Sequence, residues 1–263
     1  LVIAMRGIDL SVAPILGLAA MVCGLLAQTH GMSLALALPL ALCIGLVLGT
    51  INGVLVATMD IPPIVVTLGT YSLYSGLTFL YSDGTQVDAV PPAFAAFGNG
   101  HLLGILPLPT PVLVLLVVLA LCWYVLRHTG FGRAVLAVGN NASAAYAAGL
   151  PVTWVRIRVY ALSGTLAAFA GLMFLCYTGS ATVTAGTGDH IELQSIAVSL
   201  IGGTAIAGGR GNLIGTVLGS LFLSVVLTAL VFLHVPPIWY SAGEGLMILA
   251  AVQAGFGRRG ARA

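Results

Sequence analysis

The chain has 263 residues, of which 59% are hydrophobic and only 6% charged; its mean hydropathy is +1.11 and its net charge +2. A water-soluble domain carries about 25% charged residues, so a chain this poor in charge cannot cover a surface facing water, and a soluble globular domain is excluded. All nine basic residues are arginine, too few and too scattered for a nucleic-acid surface. Without lysine there is no Walker A motif, which excludes ATP hydrolysis by the P-loop route.

Taken in chain order, residues 1–6 read as the tail of a membrane helix that begins before Leu1. The chain opens inside an apolar run with neither a basic n-region nor a cleavage pattern, so the expectation is a sequence lacking its N-terminal helices. Apolar stretches close to the ~20 residues that cross a hydrocarbon core then predict helices over 10–27, 32–58, 61–82, 107–126, 159–178, 191–208, 212–234 and 238–256. The stretch 32–58 is long enough to need tilt or an interfacial end. The fold class expected is all-α: one polytopic transmembrane helical bundle over residues 1–263, with no soluble domain. The two longest connections, 83–106 and 127–158, are long enough to be functional.

Arginine sets the orientation. Arg127, Arg133, Arg156 and Arg158 surround one loop, Arg210 sits in the Gly208–Asn212 turn, and Arg258, Arg259 and Arg262 form the tail. The positive-inside rule places all three regions in the cytoplasm, and the even number of spans between the first cluster and the tail is consistent with this. The stretch from Asp83 to His101, with Asp88 and no arginine, falls outside.

Residues 45–53 and 211–219 both read G-x-x-x-G-T-x-x-G, and each is followed by Pro-Pro-Ile, at Pro62–Ile64 and Pro236–Ile238. On the arginine topology the two copies run in opposite senses, which predicts an inverted internal repeat, a common plan for transporters. Close helix packing through small residues accounts for the same glycines.

Covalent chemistry has little support. H-E-x-x-H and G-x-S-x-G are absent, Cys23, Cys43, Cys122 and Cys176 lie in apolar stretches without a C-x-x-C pair, and the five histidines fall mostly at loops or span ends. No catalytic residue, metal site or cofactor is expected. Ionisable groups near a membrane interior are functional candidates because charge in hydrocarbon is costly. They are Asp9, Glu192 and Glu244, with helix capping an equal account of the first two. In 61–82, Thr67, Thr70, Tyr71, Tyr74, Ser75 and Thr78 recur at spacings near three and four. They make a stripe of hydroxyls and aromatic faces suited to a neutral polyol, or to hydrogen bonding between helices.

Segment 131–152 is too short and too polar to span. Its alanine-rich stretch between Asn140 and Gly149 favours a helix that Gly149 and Pro151 would stop, and so short a helix needs a partner surface. The small side chains of Ala142, Ser143, Ala144, Ala145, Ala147 and Ala148 suit it to seat in a groove, with Ala145 expected on the seating face.

Several blocks resemble one family: R-G-I-D-L-S-V at 6–12, N-G-V-L-V-A at 52–57, I-P-P-I-V-V-T-L-G-T at 61–70, F-G-R-A-V-L-A-V-G-N-N at 131–141, the stretch from Tyr160 to Gly171, T-A-G-T-G at 184–188, and L-I-G-G-T-A-I-A-G-G-R-G at 200–211. The chain is similar to the inner-membrane permeases of bacterial ABC importers of the ribose, galactose, rhamnose and autoinducer-2 group. The resemblance implies a multi-pass protein of the bacterial inner membrane, surrounded by lipid bilayer. Its implied partners are a second permease subunit, as homo- or heterodimer, two cytoplasmic ABC ATPase subunits and a periplasmic solute-binding protein; nucleic acid is not among them. It implies a non-enzymatic role, the import of a monosaccharide or sugar-like solute. Segment 127–158 would be the coupling segment, with Gly132, Arg133, Gly139, Asn140, Asn141, Ala144, Ala145 and Gly149 as ATPase-coupling candidates. Family coupling segments often carry Glu-Ala-Ala and a following Arg, where this chain has Ala142, Ser143, Ala144 and Tyr146, which implies rearranged charged contacts. The candidates for the solute pathway are Asp9, Asn52, Thr67, Thr70, Tyr71 and Tyr74. A secondary carrier driven by an ion gradient is the other reading, disfavoured by the coupling segment and the scarcity of buried acids. An intramembrane enzyme lacks a recognisable nucleophile or metal set.

Overall fold

The computed structural model describes residues 1–100, 108–188 and 190–240, and beyond these only isolated positions up to Gln253. Its described elements are a 3-10 turn at Ile3–Met5, then α1 Val12–His30, α2 Leu34–Thr58, α3 Pro63–Ser82, α4 Pro92–Asn99, α5 Thr110–His128, α6 Gly130–Asn140, α7 Ala142–Ala147, α8 Val152–Thr178, α9 Ile191–Ile201 and α10 Leu213–Phe232, followed by a 3-10 turn at Pro237–Trp239. Six of these helices, α1, α2, α3, α5, α8 and α10, are long and apolar enough to cross a membrane. In lipid each must satisfy its own backbone. Proline opens α3, α4 and α5, where its missing N–H is one a helix leaves unpaired anyway.

The bundle is built around α2 and α8. Gly45, Gly49 and Gly53 present one bare ridge of α2, and a Cβ on any of them would run into α8 backbone at Gly164, Tyr160 or Ile157. Small residues allow such backbone contact, and dispersion contacts replace the hydrophobic effect as its source of stability. Helix α1 lies on α8, with Gly171 against the Leu16 backbone, and α3 packs along α1. Helices α5 and α10 are peripheral. Leu115, Leu116, Val117 and Leu121 of α5 and Ile214, Leu218, Leu221 and Val225 of α10 face outward, as lipid-facing or subunit-facing residues should.

Three sequence-based boundaries are corrected. Residues 1–6 are not the end of a membrane helix: they form the 3-10 turn, closed by Arg6 in the left-handed region (φ 64). Helix α8 begins at Val152 rather than 159, so Arg156 and Arg158 lie within its first two turns. The predicted span 191–208 is a helix of only 11 residues, α9, ended where Gly202, Gly203, Gly208 and Gly209 interrupt the apolar run. The connection 83–106 contains α4 and joins the chain after α8 through the Val87–Ala181 bridge.

Before α9, residues 182–188 descend alongside the first half of α1, where Gly17 abuts the Ala185 carbonyl and Gly186 lies on Ala13. The chain entering α1, residues 7–10, is likewise non-helical. Irregular backbone thus packs on protein at both places, the condition under which it is tolerated in a membrane protein. Part of the predicted span 238–256, with Glu244, and the Arg258, Arg259 and Arg262 tail lie outside the described residues, as does His101. Five of the six glycines of the two repeat copies make close backbone contacts, but with different partners: the first copy sits within α2 against α8, and in the second Gly215 and Gly219 of α10 meet Gly202 and Val198 at the end of α9, while Gly211 meets the Ala4 side chain.

Candidate functional site

The first cluster begins in the buried stretch between the 3-10 turn and α1. Asp9 Oδ1 accepts hydrogen bonds from the Ser11 amide (3.1 Å) and the Ser11 hydroxyl (2.6 Å), and Oδ2 accepts one from the Ser163 hydroxyl of α8 (2.8 Å). The Ser11 oxygen in turn accepts from the Asn52 Nδ2 of α2 at 2.7 Å. The Tyr74 hydroxyl of α3 lies 3.2 Å from Asn52 Oδ1 and 3.1 Å from the Leu48 carbonyl. Tyr74, Asn52 and Ser11 thus pass one line of donors to a carboxylate, tying together α3, α2, the α1 entry and α8. Thr67 joins from the side, with its Oγ1 3.1 Å from the Ile8 carbonyl and 2.9 Å from that of Pro63, and Thr70 lies 3.4 Å from the Thr67 carbonyl.

Asp9, Ser11, Asn52, Thr67, Thr70 and Tyr74 are all buried. A buried polar network of this kind is worth keeping only if its members are satisfied, and each named member has a partner. Of the predicted pathway residues, five therefore meet in one satisfied network. Tyr71 stands apart on the neighbouring face of α3, half-buried, beside the Thr187 hydroxyl and within electrostatic reach of Glu192. Ser11 and Ser163 were missed by sequence reasoning. The D-x-S spacing of an Asx turn at Asp9–Ser11 could have revealed the first, whereas nothing local marks the second.

The second cluster is a joint of main-chain contacts. Arg6 Nε donates to the Ala207 carbonyl (2.6 Å), and Nη2 to the Asn140 carbonyl at the end of α6 (2.7 Å). The Gly209 amide donates to the Ala4 carbonyl at 2.8 Å. A Cβ on Gly139 would strike that same carbonyl, so glycine is required there for the close approach. Arg6 was read only as part of a motif; the structure makes it the pin between α6, the N-terminal turn and the loop after α9.

Within 127–158, the Thr129 hydroxyl caps α6 by accepting from the Gly132 amide (3.2 Å), and Asn141 Oδ1 caps α7 by accepting from the Ala144 amide (2.9 Å). Gly149, at φ +82, closes α7: its amide donates to the Tyr146 carbonyl (2.9 Å) and the Leu150 amide to the Ala145 carbonyl (3.0 Å). This is a Schellman stop. The helix predicted between Asn140 and Gly149 is thus present as six residues. The expected orientation of Ala145 is corrected: it is only 6% exposed and packs inward with Val138, Val155 and Val159. The outer face is instead Ser143, Ala144, Tyr146 and Ala147, with Tyr146 75% exposed. Three-to-four-residue periodicity forces this choice, because residue 145 falls on the side of α7 that faces Val138. Gly132 packs against the Leu126 carbonyl, and Arg133 lines a cavity of about 350 Å³ with Trp123, Arg127 and Asn212. Beside the joint is a cavity of about 300 Å³ lined by Arg6, Asp60, Ala142, Arg156 and Tyr160.

Comparison with known proteins adds relatives to this geometry. The family described as branched-chain amino acid transport system / permease component matches residues 1–252. The chain is 38% identical over 254 residues to the ribose import permease protein of Bacillus subtilis (strain 168), covering 95% of this chain and 77% of the relative. It is 36% identical over 252 residues to the autoinducer 2 import system permease protein of Escherichia coli (strain K12 / DH10B), covering 96% and 72%. It is 37% identical over 257 residues to the fructose import permease protein of Rhizobium meliloti, covering 96% and 71%. No solved structure matches.

Proposed function

This chain belongs to the family of branched-chain amino acid transport system permease components, and we propose that it forms the path by which an ATP-driven importer carries a monosaccharide or sugar-like solute inward. It is a multi-pass permease subunit of the bacterial inner membrane. The observation that carries the solute class is the similarity, over nearly the whole chain, to permeases named for ribose, autoinducer 2 and fructose. In this reading the subunit performs no covalent chemistry. It pairs with a second permease subunit, receives solute from a periplasmic binding protein and docks two cytoplasmic ABC ATPase subunits.

Force from the ATPases enters at α7. Its outer face, Ser143, Ala144, Tyr146 and Ala147, seats in the ATPase groove, while Asn141 and the Gly149 stop hold it at a fixed angle between α6 and α8. Motion of α8 reaches Ser163, and through Asp9, Ser11, Asn52 and Tyr74 it reaches α1, α2 and α3. Asp9, Asn52, Thr67, Thr70 and Tyr74 act as the wall that holds the pathway's helices in register, and Tyr71 faces the solute.

Reconstitution tests this. In proteoliposomes containing the permease with its ATPase and binding protein, uptake of labelled D-ribose, D-fructose, D-galactose or L-rhamnose should require ATP and all three components. Uptake that persists without the ATPase and follows an imposed ion gradient would instead establish a secondary carrier.

A further inference from the structure

Two helices, α1 and α9, each carry a buried acid at or just before their start. At the entry to α1, Asp9 has both oxygens occupied by three donors. At the first turn of α9, Glu192 is only 6% exposed, yet its Oε2 has no hydrogen-bond partner among the described residues. Among the described residues its Oε1 meets His190 Nδ1, at 3.4 Å, from a side chain that is itself 50% exposed. Leaving a buried charged acceptor unpaired is expensive, and the two acids sit in such similar settings that the difference calls for an occupant.

We propose that Glu192, with Tyr71 and Thr187, forms the hydroxyl-binding rung of the translocation path, taking a neutral polyol. A carboxylate only accepts hydrogen bonds, and sugar hydroxyls are donors that fit it without introducing charge. Tyr71 lies beside the Thr187 hydroxyl and within electrostatic reach of Glu192, and it offers a half-buried aromatic face together with a phenol that both donates and accepts. These groups come from α3 and from the interrupted segment leading into α9, which places the rung where irregular backbone borders a helix start, the usual position of transporter sites built on broken helices. The buried position of Oε2 means that the solute reaches it when α3 and the α9 entry separate during the cycle. The proposal rests on the importer reading above and names the side chains that touch its solute.

The test uses the complete assembly in proteoliposomes, with D-ribose, D-fructose, D-galactose and L-rhamnose as probes. Two readouts are taken: solute uptake, and ATP hydrolysis stimulated by the loaded binding protein. For Glu192→Gln the expectation is uptake reduced roughly ten- to hundredfold with stimulated hydrolysis retained, because docking and coupling lie elsewhere; Glu192→Asp should recover part of the uptake. Tyr71→Phe should lower uptake and shift the preference among the four sugars. Normal uptake by Glu192→Gln in an ATP-dependent assembly overturns the rung and leaves the importer reading standing. Loss of both readouts with a normal elution profile in detergent assigns Glu192 to docking or coupling rather than to solute, and loss of both with an aggregated profile assigns it to the fold; either overturns the rung. If the wild-type assembly takes up none of the four sugars, the polyol class is wrong. A wild-type dependence on a sodium gradient that Glu192→Gln removes would make the occupant a cation and overturn the proposal.

Discussion

Arg6 and Asn140, 134 positions apart in the chain, are joined by a 2.7 Å hydrogen bond from the Arg6 guanidinium to the Asn140 carbonyl, while the Nε of the same side chain holds Ala207. One planar group thereby links the N-terminal turn, the end of α6 and the loop after α9. Arg6→Ala should lower the melting temperature in detergent by a few degrees, as expected for about 1 kcal/mol in a chain of this size. It should lower uptake more strongly, because α6 leads directly into α7. Arg6→Lys retains the charge but loses the two-pronged geometry and should behave like the alanine variant. Differential scanning fluorimetry beside uptake checks both statements, and an Arg6→Lys variant equal to wild type would reduce the joint to simple charge.

Neighbouring alanines of α7 should fail in different ways. Ala145→Glu places an unpaired charge among Val138, Val155 and Val159, at a cost of several kcal/mol, so it should misfold or elute as aggregate. Ala144→Glu, on the outer face, should fold and insert normally but lose the ATPase in a pull-down. Ala144→Glu retaining its ATPase at wild-type levels would remove that face from the docking surface.

The polar network and Tyr71 are separable by the same logic. Tyr74→Phe deletes the hydroxyl that serves Asn52 Oδ1 and the Leu48 carbonyl, leaving buried acceptors short of a donor. It should destabilise the protein by about 1–3 kcal/mol and depress uptake with it. Thr70→Val, which loses a 3.4 Å contact to the Thr67 carbonyl and a side-chain contact with Tyr74 but leaves the Tyr74 hydroxyl on Asn52 and Leu48, should do less on both counts. Melting curves and uptake measured on the same preparations order these variants. The order overturns the network account if Thr70→Val proves more damaging than Tyr74→Phe.

Orientation is open to labelling in a background with Cys23, Cys43, Cys122 and Cys176 replaced. A cysteine at Asp88, on the exposed outer connection, should react with an impermeant thiol reagent applied to intact cells. A cysteine at Arg133 should react only after the membrane is opened. Reaction at 133 from outside inverts the arginine-based map.

Much of this was legible in the sequence because lipid imposes simple demands. A helix must be about 20 apolar residues long to cross, and the stretches 32–58 and 61–82 reappear as α2 and α3 with shifts of one or two residues. The interruption of 191–208 was not legible from hydropathy, since Ile201, Ala205, Ile206 and Ala207 keep the run apolar while the glycines among them end the helix. The spacing of Thr67, Thr70 and Tyr74 identified a shared helix face. It could not say that this face turns toward α1 and α2, nor that Tyr71, one residue past Thr70, lies beside Thr187 instead. The same limit applies to Ala145: a run of small residues looks alike on both sides of a helix, and only the position of Val138 and Val155 decides which side is inward. Ser163 was beyond reach because its partner, Asp9, is 154 positions away.

The bare ridge of Gly45, Gly49 and Gly53 has a kinematic consequence. With backbone resting on backbone at three successive turns of α2, sliding α2 along α8 by one residue would lift the glycines out of register and drive neighbouring Cβ atoms into α8 carbonyls. Shear, one of the two common modes of helix rearrangement, is closed to this pair, and the two helices must travel through the transport cycle as a single keel. The motion that opens one side and shuts the other then falls to pivots at the keel's margins. The joint after α2 is one such pivot: Asp60 holds a left-handed backbone conformation (φ 53) just before Pro62 and Pro63 start α3, and α3 is the helix that carries Tyr71 toward or away from the interrupted segment opposite.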